Sequence, residues 1–344
     1  MPDRINHGFR VVAIGGGTGL STLLKGLKNY TVAPGEPPPA GAFVSDLTAI
    51  VTVTDDGGSS GRLRRELGML PPGDVRNCLV AVSQDENLLS QLFQYRFSSS
   101  GELEGHSFGN LFLAALTAMT GDFAGAVKKA SEILVTRGHI LPSTSANVEL
   151  EAAMDDGSRV LGETRINASE KRIVELKIVP PNPEPLPEAL EAIAQADVIT
   201  IGPGSLFTSL IPNLLVRGVP EAIARSKAIK VFICNLMTEA NESLGMSASD
   251  HIMAIYAHAG HGLFNYALVN SAAVSSEMRK RYATEAAEPV ECDVAAAEAL
   301  GLTCIPANFL EEKDMVRHAT DRLCRELLRL AKVSEKQLQA AGGR

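Results

Sequence analysis

The sequence predicts an α/β protein built on a doubly wound, mainly parallel sheet of Rossmann-like type, decorated by a β-hairpin. Three observations predict it. Short apolar runs alternate with helically spaced segments along the chain, the pattern of parallel strands joined by crossover helices. Two of the runs, Arg10–Ile14 and Ala196–Ile201, end in glycine loops that lead into leucine-spaced segments. Polar clusters stand where apolar runs end, and open α/β sheets bind ligands beyond the carboxyl ends of their strands.

The 344 residues suffice for a sizeable core. The organisation expected is one nucleotide-binding domain over residues 9–333, with a subdomain allowed around 136–180 and a polar, fraying tail over 334–344. A net charge of −8 and a pI near 5.5 argue against a general nucleic-acid binder. With 5% aromatics and no Trp there is no stacking platform for single strands. Cys78, Cys234, Cys292, Cys304 and Cys324 are scattered and lack a CxxC spacing, which disfavours a zinc site or a disulfide framework. A reducing cytoplasm fits them best. The first ten residues carry no signal-peptide pattern, and no apolar stretch reaches membrane-span length.

In chain order, the first strand runs into Gly15-Gly16-Gly17-Thr18-Gly19, and Leu20, Leu23, Leu24 and Leu27 follow at helical spacing. Backbone N–H groups at such a helix start face an anion. The dinucleotide fingerprint fails because Leu20 stands where its third glycine belongs, and no Gly-Lys-Ser/Thr follows for a P-loop. The loop therefore reads as a phosphate cradle or as a close backbone approach. Ala33–Gly41 reads as an irregular loop and Leu47–Thr54 as the second strand.

That strand opens into the densest polar stretch, Asp55-Asp56-Gly57-Gly58-Ser59-Ser60-Gly61-Arg62. Glycines let the backbone press against a ligand. Asp55 and Asp56 accept from sugar hydroxyls or hold a metal, Ser59 and Ser60 offer hydroxyls, and the Arg62 fork suits phosphate. A plain turn needs far less. Pro71–Asp74 reads as a turn capping a helix over Val75–Val82, with Arg76 and Asn77 facing a ligand or capping and solvating. Asn87–Phe97 reads as a helix. His106 and Asn110 flank Ser107, a plausible cap for a buried helix over Leu111–Met119. Taken alone His106 reads as a satisfied polar residue, and only the cluster gives it a site role. Asp122–Val135 reads as a helix.

Val148–Ala153 and Arg159–Ile166 flank Asp155-Asp156-Gly157-Ser158 as a hairpin. Pro180–Pro187 reads as a linker. The second glycine loop, Gly202-Pro203-Gly204-Ser205, precedes a helix carrying Leu206, Thr208 and Leu210, which Pro212 breaks or kinks. Lys230–Cys234 is a strand with Asn235 at its exit. Ser249–His258 reads as a helix. His251, His258 and His261 invite a metal, yet no carboxylate stands at ligand spacing near the last two, and a structural role is expected. Tyr266–Val269 and Thr303–Ala307 are late strands, and Asp314–Val333 reads as one amphipathic helix.

At VVAIGGGTGLSTLLKGLK, TDDGGSSGRLRRELGMLPPGDVRN, LFQYRF, GHSFGNL, GPGSLFTSLIPNLL, VFICNLMT and SDHIMAIYAHAG the chain resembles the gluconeogenesis factor (YvcK-like) family, relatives of the 2-phospho-L-lactate transferases (CofD-like). The resemblance covers nearly all of Phe9–Leu330. It implies a CofD-like fold that binds a nucleotide, here a UDP-sugar, and a cytoplasmic role in cell shape and wall synthesis during gluconeogenic growth. In the transferases a metal-linked Asp ends the second strand, which matches Asp55 and brings in Mg²⁺. Met237-Thr238-Glu239-Ala240-Asn241-Glu242 departs from the Met-Thr-Gln-Pro-Gly-Glu of the family, so ligand contact by Glu239–Ser243 is not carried over.

The preferred expectation is a nucleotide-sugar-binding regulator without turnover, homo-oligomeric and free of nucleic-acid partners. A Mg²⁺-assisted transferase acting on a nucleotide diphosphate is the alternative. An NAD-dependent oxidoreductase is weakened by Leu20 and kept open by Asp55. The expected ligand set is Gly15, Gly16, Gly17, Thr18, Gly19, Asp55, Asp56, Ser59, Ser60, Arg62, Asn77, His106, Asn110, Gly202, Gly204, Ser205, Thr208 and Asn235, with Asp55 as the metal candidate. Gly15–Gly19, Asp55–Arg62 and Gly202–Ser205 should converge on one cleft, with Asn235 and the start of the Ser107 helix nearby and with Gly17 and Gly204 within about 10 Å of a shared cavity.

Overall fold

The computed structural model describes residues 8–32, 37, 41–84, 88–98 and 101–342. Most of the expected loop Ala33–Gly41 and the first residue of the expected helix Asn87–Phe97 lie outside them.

Strands β1 (Phe9–Gly15), β2 (Val44–Val51), β3 (His139–Pro142), β7 (Val198–Ile201), β8 (Ile229–Ile233), β9 (Tyr266–Asn270) and β10 (Thr303–Ala307) form one sheet in the order β10-β9-β8-β7-β1-β2-β3. All its pairings are parallel. The intervening β4 (Glu149–Met154), β5 (Arg159–Leu161) and β6 (Ile173–Val179) make a small antiparallel sheet in the order β5-β4-β6. β11 (Leu310–Glu312) pairs with β12 (Val316–His318) as a short hairpin.

Strand residues of β1 alternate between two cores, as a sheet covered on both faces requires. Val11 and Ala13 join Leu20, Leu24 and Leu27 of helix α1 (Gly17–Lys28). Val12 and Ile14 join Leu206, Leu210 and Ile211, the segment that follows β7. Helix α1 thus leaves β1 toward one face, and the chain after β7 leaves toward the other. Strand order reverses between β1 and β7, and a crevice opens there.

The expected strand at Leu47–Thr54 starts earlier and stops at Val51, because its partner β1 ends at Gly15, whose carbonyl takes the last ladder bond from the Thr52 N–H at 2.9 Å. It continues into α2 (Gly58–Leu67) and α3 (Gly73–Val82), then α4 (Leu88–Gln94), α5 (Phe108–Thr120) and α6 (Phe123–Ile133). Ser107 caps α5, accepting from the Asn110 N–H at 3.1 Å. The expected hairpin is present and turns at Gly157, whose φ of +80° suits glycine, but its second arm ends at Leu161 and residues 163–167 are helix instead of strand. It gains the partner β6, absent from the sequence reading. The expected helix at Asp314–Val333 begins later and runs further, over Thr320–Gly342. Residues 316–318 are strand instead, because Val316 packs on Leu236 and Val274 while pairing with Glu312. Among the described residues no single helix is long and apolar enough to cross a membrane.

One close contact ties the molecule's ends. A Cβ on Gly26 of α1 would overlap the Thr320 methyl and lie 2.9 Å from Cys324 Sγ, so only glycine lets α1 lie flat on the Thr320–Gly342 helix.

Candidate functional site: a cleft between two glycine loops

The two glycine loops abut. A Cβ on Gly19 would lie 2.7 Å from the Pro203 carbonyl carbon and 2.9 Å from the Gly204 nitrogen. Gly16 is equally enclosed, with Thr52 Cγ2 and Asp74 Oδ2 at 2.6 and 2.7 Å from where its Cβ would be. Gly17 has a φ of +61°. The loops line a cavity of about 470 Å³ with Gly16–Gly19, Gly204, Ser205, Asn235 and Thr238 on its walls, together with Arg317 and His318. Gly17 and Gly204 therefore share a cavity, as expected from the strand–loop–helix pattern, and the volume lies in the range of small-ligand sites.

Carboxylates hold each loop, Asp74 from outside the cavity and Glu239 from its lining, where Glu285 also stands. The Gly17 N–H donates to Asp74 Oδ2 at 2.7 Å. Burial, opposed by that hydrogen bond and reinforced by neighbouring Asp55, pushes the Asp74 carboxyl up to about 6. Asn235 clamps the second loop, accepting from the Gly204 N–H at 3.1 Å and donating to its carbonyl at 2.9 Å. Ser205 donates to Glu239 at 2.8 Å. Glu242, 5% exposed, takes the Phe207 N–H at 3.0 Å and the Thr208 hydroxyl at 2.6 Å. Burial and nearby Glu239 push its carboxyl well above the usual range. After Ser205 the chain makes a wide turn, with the Leu210 N–H reaching the Ser205 carbonyl at 3.0 Å, before Pro212 starts a short helix. Such i→i+5 turns recur at functional sites.

The remaining expected residues fall into two neighbouring groups. Ser59, His106 and Asn110 are buried and bonded to one another: Asn110 Nδ2 donates to Ser59 Oγ at 3.1 Å, and Ser59 Oγ lies 2.9 Å from His106 Nδ1. The Ser59 hydroxyl oxygen accepts from Asn110, and the direction of its bond with His106 follows the tautomer of the imidazole. Burial and Arg62 lower the His106 imidazole below its ordinary value. Arg76 completes this network, donating to Ser107 Oγ at 2.6 Å, Asn110 Oδ1 at 2.9 Å and Asn77 Oδ1 at 2.7 Å. Ser60 is buried with its Oγ 2.6 Å from where a Gly73 Cβ would stand. Arg62 turns to the Glu104 carbonyl, and no residue of Asp55–Arg62 lines the cleft, so the expected convergence holds for the two glycine loops and Asn235 and not for this stretch.

Asp55 accepts from the Gly57 N–H at 2.8 Å, and Asp56 from Thr164 N–H and hydroxyl at 2.8 and 2.5 Å. Glu163, at the start of α7 (Glu163–Asn167), receives the Thr54 hydroxyl at 3.3 Å. Burial, then the charges of Asp55 and Asp74, raise its carboxyl well above the ordinary value. Asp55, Asp74 and Glu163 thus gather acid behind the first glycine loop. Among the described residues no three His, Cys, Asp or Glu side chains are grouped to hold a metal ion. A Mg²⁺ ion at Asp55 would have to draw ligands from a bound diphosphate and water, its common habit.

The sequence reading missed Asp74, Glu163, Glu242 and Arg317. Asp74 was legible within Pro71–Asp74 as a cap, and only its contact with Gly17 reveals the second role. Asp74→Asn is expected to stabilise the protein at about pH 8 by on the order of 1–3 kcal/mol, from ~1.4 kcal/mol per pKa unit. A carboxyl raised in the folded state stabilises below its unfolded value, near 3.8, and loses that contribution as pH rises through about 6. The variant's advantage in urea unfolding should therefore grow between about pH 4 and 6.5. A constant difference would mean that Asp74 does not titrate in that window.

The model of the family described as "2-phospho-L-lactate transferase CofD" matches residues 11–310. A gluconeogenesis factor of Halalkalibacterium halodurans is 49% identical over 319 residues, 92% of this chain and 95% of its own length. The gluconeogenesis factor of Bacillus subtilis is 45% identical over 324 residues, 94% of this chain and 98% of its own. A crystal structure of a UPF0052 family protein from Bacillus halodurans superposes with a TM-score of 0.87 at 48% identity, covering 94% of this chain and 99% of that one.

Proposed function

Because the chain belongs to the CofD family and groups with its gluconeogenesis factors, we propose that it is a nucleotide-sugar-binding regulator whose ligand, a UDP-sugar, lies in the cleft between the two glycine loops. One observation carries this reading: Gly16–Gly19 and Gly204–Ser205 face one cavity of about 470 Å³ where strand order reverses. The Gly17 and Gly204 N–H groups are held by Asp74 and Asn235, so the first-turn N–H groups of α1 at Thr18 and Gly19 are the ones that suit a diphosphate. Arg317 supplies a cation to the lining, and Asn235 fixes the second loop before any ligand arrives. The regulator serves wall synthesis and cell shape during gluconeogenic growth, in the cytoplasm and as a homo-oligomer.

A transferase reading is kept by Asp55, whose carboxylate stands beside Asp74 and the first loop. There Asp55 would hold Mg²⁺ against the diphosphate, and the ion would supply charge neutralisation as the bond to the leaving nucleotide breaks.

Thermal unfolding with UDP-glucose, GDP-mannose and NAD, each with and without Mg²⁺, tests both. UDP-glucose is expected to stabilise by about 2.7 kcal/mol at a hundredfold excess over its Kd. Arg317→Ala should weaken that binding by about tenfold or more, the loss of one charged hydrogen bond. No shift with any nucleotide diphosphate would refute the cleft as a nucleotide site. Release of a nucleotide monophosphate, abolished by Asp55→Asn, would favour the transferase.

A further inference from the structure

A second cavity, of about 570 Å³, lies against α1, α3 and α4. It meets the first at Thr18 and Arg317, which line both. Its chemistry is opposite to that of the chain as a whole. The protein carries a net charge of −8, yet Lys25, Lys28, Arg76 and Arg317 line this groove, and none of its described lining residues is acidic.

Among the described residues three of these cations are free of a direct ion pair, although Asp74 and Asp55 stand near enough to act on the charge of Arg76. Lys25 and Arg317 form no salt bridge with a described carboxylate, and neither does Arg76. Arg76 is the most informative of them. It is 6% exposed, its terminal nitrogens are bonded to Ser107, Asn110 and Asn77, and its buried Nε has no hydrogen-bond acceptor. A buried guanidinium nitrogen without an acceptor is costly unless something else faces it. Around these cations stand neutral polar groups, the Asn77, Gln91 and Gln94 amides and the Thr18 hydroxyl. Such groups pair with ligand hydroxyls rather than with further charge.

We propose that this groove is a second ligand site that takes a small phosphorylated polyol or sugar. Its phosphate sits among Lys25, Arg76 and Arg317, and its hydroxyls meet Asn77 and the glutamines. The volume suits a ligand of that size. A nucleic-acid duplex or an extended acidic peptide is disfavoured by the overall negative charge. Because Thr18 and Arg317 face both cavities, the ligand lies beside the nucleotide cleft and is positioned to report on its occupancy. The inference stands without the nucleotide reading, since none of its steps needs a ligand in the first cleft.

Glucose 6-phosphate is the probe, with glucose and sulfate as controls, followed by calorimetric titration of the full chain. Saturable binding is expected for glucose 6-phosphate, far weaker binding for sulfate, and none for glucose. Lys25 is exposed on α1, so Lys25→Glu should fold as the wild type does. That variant is expected to weaken glucose 6-phosphate by about tenfold or more, the loss of a charged hydrogen bond plus repulsion. UDP-glucose affinity should stay within about twofold, since Lys25 does not line the first cleft. No binding of the probe up to about 10 mM overturns the proposal, as does equal affinity for sulfate. Unchanged affinity in Lys25→Glu, or direct competition between glucose 6-phosphate and UDP-glucose, would overturn it too and assign the binding to the first site. If UDP-glucose itself fails to bind while glucose 6-phosphate does, the nucleotide reading falls and this one stands.

Discussion

Gly19→Ala is expected to remove nucleotide binding while lowering stability by about 1–3 kcal/mol, the usual cost of overpacking a closed interior. The added methyl meets backbone, not a side chain that can swing away: the Pro203 carbonyl carbon at 2.7 Å and the Gly204 nitrogen at 2.9 Å. Helix propensity works the other way, since Gly19 lies in the first turn of α1 and alanine there gains up to ~1 kcal/mol. Stability thus understates the damage. The two loops must separate, and a ligand held by both loses contact with one. Two charged hydrogen bonds lost at about 1.5–3 kcal/mol each amount to a hundredfold or more. Calorimetry with UDP-glucose reads this directly, and a Gly19→Ala variant that binds normally would show that the loops do not act on one ligand.

Glu242→Ala is the second large effect. Its carboxylate is the acceptor for both the Phe207 N–H and the Thr208 hydroxyl, and both donors are buried. Leaving them without an acceptor costs about 2–4 kcal/mol after the relief of removing a strained buried charge. Glu242→Gln keeps one carbonyl acceptor and should lose much less. The pH dependence separates charge from shape. Burial and Glu239 raise this carboxyl in the folded state, so its stabilising contribution is present below the ordinary carboxylate range and fades as pH rises through the raised value. Glutamine does not titrate, and the variant should therefore gain on the wild type as pH rises. Urea unfolding across that range checks the sign. Equal stability of the alanine and wild-type proteins would leave Glu242 without a role in the loop.

The strands and glycine loops were legible because each carries its own local signature. An apolar run, a glycine cluster and leucines at helical spacing specify strand, turn and helix within about twenty residues of sequence. From two such units the shared cleft followed by topology alone. Side-chain partners were less accessible. Ser59, His106 and Asn110 were expected to face a ligand, yet they bond one another and do not line the cleft. Their types announce hydrogen bonding, and only geometry says with whom. Thr208 looked like a ligand contact and turned out to be held by Glu242, from a segment whose departure from the family pattern had set it aside. Arg317 was hidden for a different reason. Val316, Leu323, Leu327 and Leu330 share helical spacing, so periodicity extends the helix over residues that in fact form β12. β6 was hidden by the irregular burial of Ile173–Val179 and by the prolines after it.

The contact of Gly26 with Thr320 and Cys324 has a kinetic meaning. The walls of the cleft come from residues 16–19, 203–205 and 316–318, and the helix that braces α1 follows the last of these. Contacts between segments so distant along a chain form late, because loop closure must precede them. A chain emerging from the ribosome at about 5–20 residues per second would expose α1's partner face for many seconds before the Thr320–Gly342 helix could cover it. A cleft ligand therefore cannot template the early stages of folding. It can only trap the finished molecule, so its protective effect should be on unfolding and turnover in the cell rather than on the yield of newly made protein.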